Sequence, residues 1–372
     1  MNVSVIHPSL NVIGGSEQVC LSILESLEEK GHNVSLGTFE KTDWEKIEKY
    51  FGKVCQPDQE IVCSRRFGLF AYGETLNFYF LASKMPDDSD VVLVSCTSPW
   101  FYPPQAKALI IYVLPFMKPE RAIWQLYLKP YLFMQRRLLN RVKNKVLLTN
   151  SSFSAEIIEN AYSICPQVLY PPVNTRMFCP SKKENLVVST GRFVPEKRFE
   201  ILVEAFRRIG KNVRCIIMGG ISGNRAHQSR LYVARLRKMI EEFDLSDRVE
   251  LLVNCPFDLL VEMLSRAKVY VHCFENEPFG ISIVESMAAG CVPIVHRSGG
   301  AYHDITDHDK YGFSFETINE LCRIVNFLME KDNGFEEYSK KAIHRSMCFN
   351  KKSFEERITN LVESKTVFAD GK

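Results

Sequence analysis

Short apolar runs rich in β-branched residues recur along the chain, and amphipathic stretches with a helical period separate them. This alternation predicts parallel sheets covered on both faces by helices. The run 3–6 leads through the loop 8–15 into a helix over about 16–30, with Val19, Cys20, Ile23, Leu24 and Leu27 on one face and Gly31 as its stop. Further strands are predicted at 34–37, 91–96, 109–114 and 146–149, and a helix capped by Ser151 or Ser152 runs to about 161. A second series follows, with strands at 186–190, 215–218, 249–253, 269–273 and 292–296. From about 317 the pattern is helical only, ending in a helix around 353–363.

Between the two series stand Pro171 and Pro172, with Pro180 beyond them, which fits a linker. The chain therefore divides into 1–172, 173–349 and a terminal helix, 350–372. A length of 372 residues allows two cores, and 46% hydrophobic with 24% charged residues is ordinary for a folded globular protein. Twelve scattered cysteines without a CxxC pair argue against a disulfide framework and for a reducing compartment. The first residues lack an export signal, and the longest apolar run, 108–117, is cut by Pro115 and falls short of a bilayer. The expectation is a soluble or peripheral protein.

The stretch 276–285 carries the most chemistry. Glu277 and Glu285 lie eight positions apart, Gly280 makes a turn between them, and a helix begins near Ile281, just after an apolar strand. Ligands of open parallel sheets bind at the carboxyl ends of strands, where such turns sit. The pair suits a polyol better than a metal, because His and Cys partners are missing at ligand spacing. An acid in a first helical turn can merely complement the helix dipole. Glu285, however, sits in an apolar helix (Ile283, Val284, Met287), where an unpaired carboxylate is costly.

Arg192 and Lys197 follow the strand 186–190 and Gly191, five residues apart, a fork and a point charge that together suit a diphosphate. Taken alone they would read as a solvated basic loop; their place in the half that holds the Glu pair favours the site. Gly14 and Gly15, before the first helix, can offer backbone N–H groups to a phosphate or hydroxyl, or simply make a turn. Gly219 and Gly220 carry the same two readings evenly.

These spacings, Glu277-x7-Glu285 with Phe279-Gly280, Gly191-Arg192-x4-Lys197 and the Gly pair after the first strand, resemble the retaining family 4 glycosyltransferases of the GT-B fold. Together with His7-Pro8, Asn254-x-Pro256-Phe257-Asp258 and Ser298-Gly299-Gly300, they look most like the branch of GDP-mannose-dependent α-1,2-mannosyltransferases that extend dolichol-linked oligosaccharides. The resemblance implies an α/β architecture of two Rossmann-like domains facing across a cleft, the first binding the acceptor and the second the nucleotide sugar. It implies too that the last helix returns to the first domain. Arg192 and Lys197 would hold the donor diphosphate, Glu285 the ribose, and Glu277 the sugar hydroxyls. The backbone at Phe279, Gly280 and Ile281 would help seat sugar and phosphate, Gly15 would lie against the phosphates, and Val253, Asn254 and Pro256 near the base. Glu277, Arg192 and Lys197 are the catalytic candidates. Retention would proceed without a metal or other cofactor. The His that the family often places after a central strand of the first half is absent, since 110–115 contains none; His7 is the available substitute. Another donor, such as UDP-N-acetylglucosamine, and a catalytically silent donor-binding subunit remain as alternatives.

The net charge of +3 is unevenly spread. The segment 118–145 holds eight Lys/Arg and one acid, Glu120, so the rest of the chain is net acidic. There Arg121, Trp124, Arg136, Arg137 and Arg141 interleave with aromatics, and a helix from Pro130 would place the three later arginines near one face. Such a helix suits an anionic bilayer and the lipid-linked acceptor, at the cytoplasmic face of a membrane. A core helix with a solvated basic edge is the plainer reading. No nucleic-acid-binding motif accompanies the patch.

Overall fold

A computed structural model describes the chain apart from residues 13, 53, 65–69, 98–106, 116–121, 143, 222–225, 331–333 and 368–372. It forms two compact units, Met1–Pro172 with Lys351–Lys372, and Val173–Asn350.

The first unit is built on seven parallel strands: β1 (Asn2–Ile6), β2 (Asn33–Thr38), β3 (Gln59–Val62), β4 (Val91–Thr97), β5 (Ala108–Val113), β6 (Lys145–Thr149) and β7 (Gln167–Val168). They are ordered β3-β2-β1-β4-β5-β6-β7. Every residue of β5 is buried, as expected of a strand covered on both faces. On one face Val3, Val5, Leu93, Ile110 and Leu148 meet the apolar side of helix Gly15–Glu29. The terminal helix Lys351–Val367 completes that core with Phe354, Ile358 and Val362, and Phe354 packs edge-on against Tyr112. Polar contacts support the docking: Lys351 pairs with Glu25, and Arg357 Nη2 donates to Val168 O at 2.9 Å. The last helix thus belongs to the first unit.

Six parallel strands make the second unit: β8 (Glu184–Thr190), β9 (Arg214–Gly219), β10 (Val249–Val253), β11 (Ala267–His272), β12 (Val292–His296) and β13 (Phe313–Phe315), ordered β10-β9-β8-β11-β12-β13. Phe199, Leu202, Val203 and Phe206 pack with Tyr232, Val233 and Leu236 over Val187, Ile217, Val269 and Val271. In both sheets the winding direction reverses once, between β1 and β4 and between β8 and β11. An open α/β sheet has its binding crevice at that reversal, beyond the carboxyl ends of the strands. Beyond β8 and β11 the chain places the loops 191–197 and 273–280, which hold the Arg-Lys pair and the first glutamate.

β3, β7 and β13 and the helices Trp44–Phe51 and Phe70–Ala82 were not predicted from the pattern. The three strands are short edge elements, and edge strands lack the continuous apolar run that marks a central one. The basic helix also needs correction: it runs Ala122–Arg141 and passes through Pro130 instead of starting there.

Candidate functional site

Lys197 and Glu277 meet. Lys197 Nζ lies 2.7 Å from Glu277 Oε2, although 80 residues separate them, and the side chains are only 20% and 14% exposed. The loop after β8 sets the lysine: Gly191 has φ +155°, and a Cβ there would stand 3.3–3.5 Å from the Lys197 stem. The stem therefore lies across a bare glycine. The ammonium also sits 4.7 Å from the Phe274 ring centroid, a cation–π contact.

Two further glycines fix the frame. A Cβ on Gly219, at the end of β9, would fall 1.8 Å from Gly191 O. The two loops touch backbone to backbone there. We expect Gly219→Ala to cost about 3 kcal/mol or more by overpacking, read as a lowered urea midpoint, and to abolish donor binding. Gly299 has φ +72°, and a Cβ there would lie 2.5 Å from Glu277 O. Around it, Gly300 N donates to Glu277 O at 2.8 Å, and Asn276 N donates to Ser298 Oγ at 2.8 Å. The Ser298-Gly299-Gly300 turn is a clamp on the loop that carries Glu277.

A third side chain completes the cluster, and the sequence pattern gave it no role. His272, the last residue of β11, places Nε2 2.9 Å from Glu277 Oε2 with its ring 3% exposed. Burial would raise the Glu277 pKa, but the Lys197 charge and the His272 hydrogen bond outweigh it and hold the carboxyl well below the usual range. Burial lowers the His272 pKa, and Lys197 lowers it further against the pull of Glu277. The imidazole is therefore neutral and donates through Nε2–H, since an ionised carboxylate can only accept. The signal available in the sequence was a polar ring closing an otherwise apolar strand, five residues before Glu277.

The other candidates lie at the same end of the sheet without joining this cluster. Arg192 is exposed and makes no side-chain hydrogen bond or ion pair among the described residues. Glu285 sits on helix Ile281–Ala288, half-buried and likewise without a side-chain partner among them. Burial pushes its pKa up to about 7. The pair of cations and the pair of acids are thus joined directly through one member of each. Phe279 is a core residue, packed edge-on against Phe349 at 5.4 Å, so its backbone alone is available to a ligand. Gly280, at φ +106°, starts the helix that presents Ile281 and Glu285.

Val253 ends β10 at the sheet edge, and Asn254 and Pro256 follow it. Asn254 Oδ1 accepts from Ile221 N at 2.8 Å and Asn254 N donates to Gly219 O at 2.8 Å, so this residue braces the β9 turn. In the first unit, Gly14 and Gly15 begin helix Gly15–Glu29 beside the buried Glu17. His7, buried just after β1, lies 3.8 Å from Glu17, and its Nδ1 has no hydrogen-bond partner among the described residues. No cluster of three or more His, Cys, Asp or Glu fit to hold a metal occurs among the described residues.

Arg121 falls outside the described residues. On helix Ala122–Arg141, Leu128, Tyr131, Gln135 and Leu139 face inward. Ile123, Leu126 and Phe133 are 72%, 68% and 59% exposed, and Trp124 is exposed as well. Lys129, Arg136, Arg137 and Arg141 flank this stripe, with Arg137 stacked over Phe133 at 4.8 Å. No helix among the described residues is long and apolar enough to cross a membrane.

Two doubly wound units with a basic and acidic cluster at the switch point of the second define the class. The profile of the family described as "Glycosyl transferases group 1" matches residues 178–345, all of them within the second unit. The fold of the chain is that of the GT-B glycosyltransferases. The Anabaena protein HepE, solved in complex with UDP and glucose, superposes with a TM-score of 0.74 at 18% identity, covering 98% of this chain and all of that one. Sucrose-phosphate synthase from Thermosynechococcus elongatus gives 0.77 at 17% identity, covering 99% of each. Among named relatives, the Homo sapiens "GDP-Man:Man(3)GlcNAc(2)-PP-Dol alpha-1,2-mannosyltransferase" is 29% identical over 242 residues, 59% of this chain and 48% of that protein. The Dictyostelium discoideum protein of the same name is 28% identical over 213 residues, 53% of this chain and 42% of that one. The chain thus aligns with less than half the length of these relatives.

Proposed function

We propose that the chain is a retaining mannosyltransferase that moves mannose from GDP-mannose to a lipid-linked oligosaccharide at a membrane surface. The observation that carries this reading is the Lys197–Glu277 contact at the switch point of the second sheet, in a chain whose named relatives are GDP-mannose enzymes. In it, Lys197 and Arg192 stabilise the charge that builds on the departing diphosphate. Glu277 binds sugar hydroxyls and Glu285 the ribose, with backbone groups at Gly280 and Ile281 against the donor. The bond from the sugar C1 to the phosphate oxygen breaks, the acceptor oxygen bonds to C1 on the same face, and the departing diphosphate takes the acceptor's proton.

The test is a thermal-shift panel of GDP, UDP, ADP and their sugars, followed by transfer to a lipid-linked acceptor. A ligand that binds only the folded chain raises its melting temperature. Stabilisation by GDP-mannose above the others, with mannose transfer, is the expected result. Preference for UDP-N-acetylglucosamine would reassign the donor. Binding without turnover on any donor would make the chain a silent subunit.

The basic helix supports the membrane part of the reading, because its exposed apolar stripe is flanked by cations. The full chain is expected to float with anionic liposomes at physiological salt. Replacing Arg136, Arg137 and Arg141 together by alanine should weaken that binding about a hundredfold, at roughly 1 kcal/mol per cation. Flotation untouched by the triple change would remove the helix from the interface.

A further inference from the structure

We propose that His272 is a positioning residue for Glu277, fixing the carboxylate so that one oxygen alone meets the donor sugar. This inference rests on the donor-site reading and adds a residue to it.

The geometry is asymmetric. Both donors, Lys197 Nζ at 2.7 Å and His272 Nε2 at 2.9 Å, converge on Oε2, while Oε1 has no partner among the described residues. A carboxylate held at a single oxygen by a single flexible lysine keeps its rotation about the terminal torsion, which is broad and nearly two-fold. A second donor from a different direction removes that freedom. His272 suits the task because its own ring is fixed. It ends the ladder that β11 makes with β12, opposite Val295, lies nearly parallel to Tyr270 (18° between planes, centroids 6.4 Å apart) and has the Phe274 ring centroid 6.5 Å away. Lys197 must also face the diphosphate in the proposed reaction, so its hold on Glu277 is shared when the donor arrives. The His272 bond is not. The oxygen left over, Oε1, can then accept from a sugar hydroxyl, and an ionised acceptor makes the stronger bond.

The experiment uses the full chain as wild type, His272→Leu, His272→Gln, and Glu277→Gln with and without His272→Leu. The affinity of GDP, the affinity of GDP-mannose and kcat for mannose transfer are measured. A hydrogen bond to a charged group corresponds to about a tenfold effect or more. His272→Leu is therefore expected to keep GDP affinity within about twofold while losing about tenfold in kcat and in the extra affinity conferred by the mannose. His272→Gln, whose amide N–H reaches the same oxygen, should regain most of the loss. In the Glu277→Gln background, His272→Leu should cost nothing further, since coupled residues are non-additive.

Wild-type kcat in His272→Leu, equal loss of GDP and GDP-mannose affinity, or additive losses in the double variant would each overturn the proposal. Should the leucine variant fail to fold, His272→Asn against His272→Gln gives the same contrast, because the shorter amide stops short of Oε2. A folded wild type that binds neither ligand is a different result: it overturns the donor-site reading, and this inference with it.

Discussion

Replacing Lys197 by alanine is expected to lower mannose transfer by about three orders of magnitude, near the cost of losing a preorganised donor at a developing anion. Two losses combine. In the proposed reaction the departing diphosphate loses one of its two cations and keeps only Arg192, which is exposed and tied to nothing among the described residues. Glu277, mostly buried, also loses the strongest of the influences that oppose burial and hold its pKa down. Its carboxyl should then take up a proton at higher pH than in wild type, so the residual activity of Lys197→Ala should fall away at a higher pH as the solution is acidified. Arginine is not expected to substitute. A planar guanidinium presents a wide fork where Glu277 Oε2 and the Phe274 ring now meet a compact point charge. Steady-state rates with GDP-mannose from pH 5.5 to 8.5 read both effects. An alanine variant within fivefold of wild type would remove Lys197 from the chemistry.

The fold was legible because its central strands are continuous apolar runs and its glycine turns follow them directly. β1, β8, β11 and β12 read clearly for that reason. The edge strand β3, Gln-Glu-Ile-Val, starts with two polar residues and is half-exposed, so periodicity has little to register. Proline inside helix Ala122–Arg141 misled in another way. It costs a backbone hydrogen bond, yet the buried residues Leu128 and Tyr131 on either side hold the helix through it. In the site, residue types and spacing brought out Lys197 and Glu277 because a long-range ion pair leaves two charges near two strand ends. His272 left no such trace. Its role comes from the parallel ladder between β11 and β12, which carries the strand to His272 opposite Val295, and from the turn that folds Glu277 back over it. The direct joining of Lys197 to Glu277, with Arg192 and Glu285 apart, was likewise a matter of side-chain direction.

Glu285→Gln is expected to stabilise the ligand-free chain and to weaken its grip on nucleotide at the same time. Glu285 has no side-chain partner among the described residues, and burial raises its pKa from 4.5 to about 7. It lies close enough to Tyr270 to raise that residue's pKa as well. The sign follows from proton counting. Below about 4.5 the carboxyl is protonated whether folded or unfolded, and its titration has no effect on stability. Between 4.5 and 7 the unfolded chain has given up the proton and the folded chain keeps it, so stability falls as pH rises. Above 7 the cost is complete, about 3 kcal/mol for a shift of this size. Glutamine carries no such cost. Urea unfolding should show the variant and wild type close together at pH 4 and separated by up to about 3 kcal/mol at pH 8, with the variant the more stable. The native glutamate is then justified by a ligand. Two ribose hydroxyls can donate to the ionised carboxylate, which lowers its pKa on binding, so GDP affinity in wild type should rise with pH up to about 7 as a proton is released. In Glu285→Gln that slope should vanish and GDP should bind roughly tenfold more weakly, the cost of hydrogen bonds to a charged acceptor. A variant less stable than wild type at pH 8 would show that Glu285 already has a stabilising partner inside the fold, and the ribose would no longer be needed to explain it.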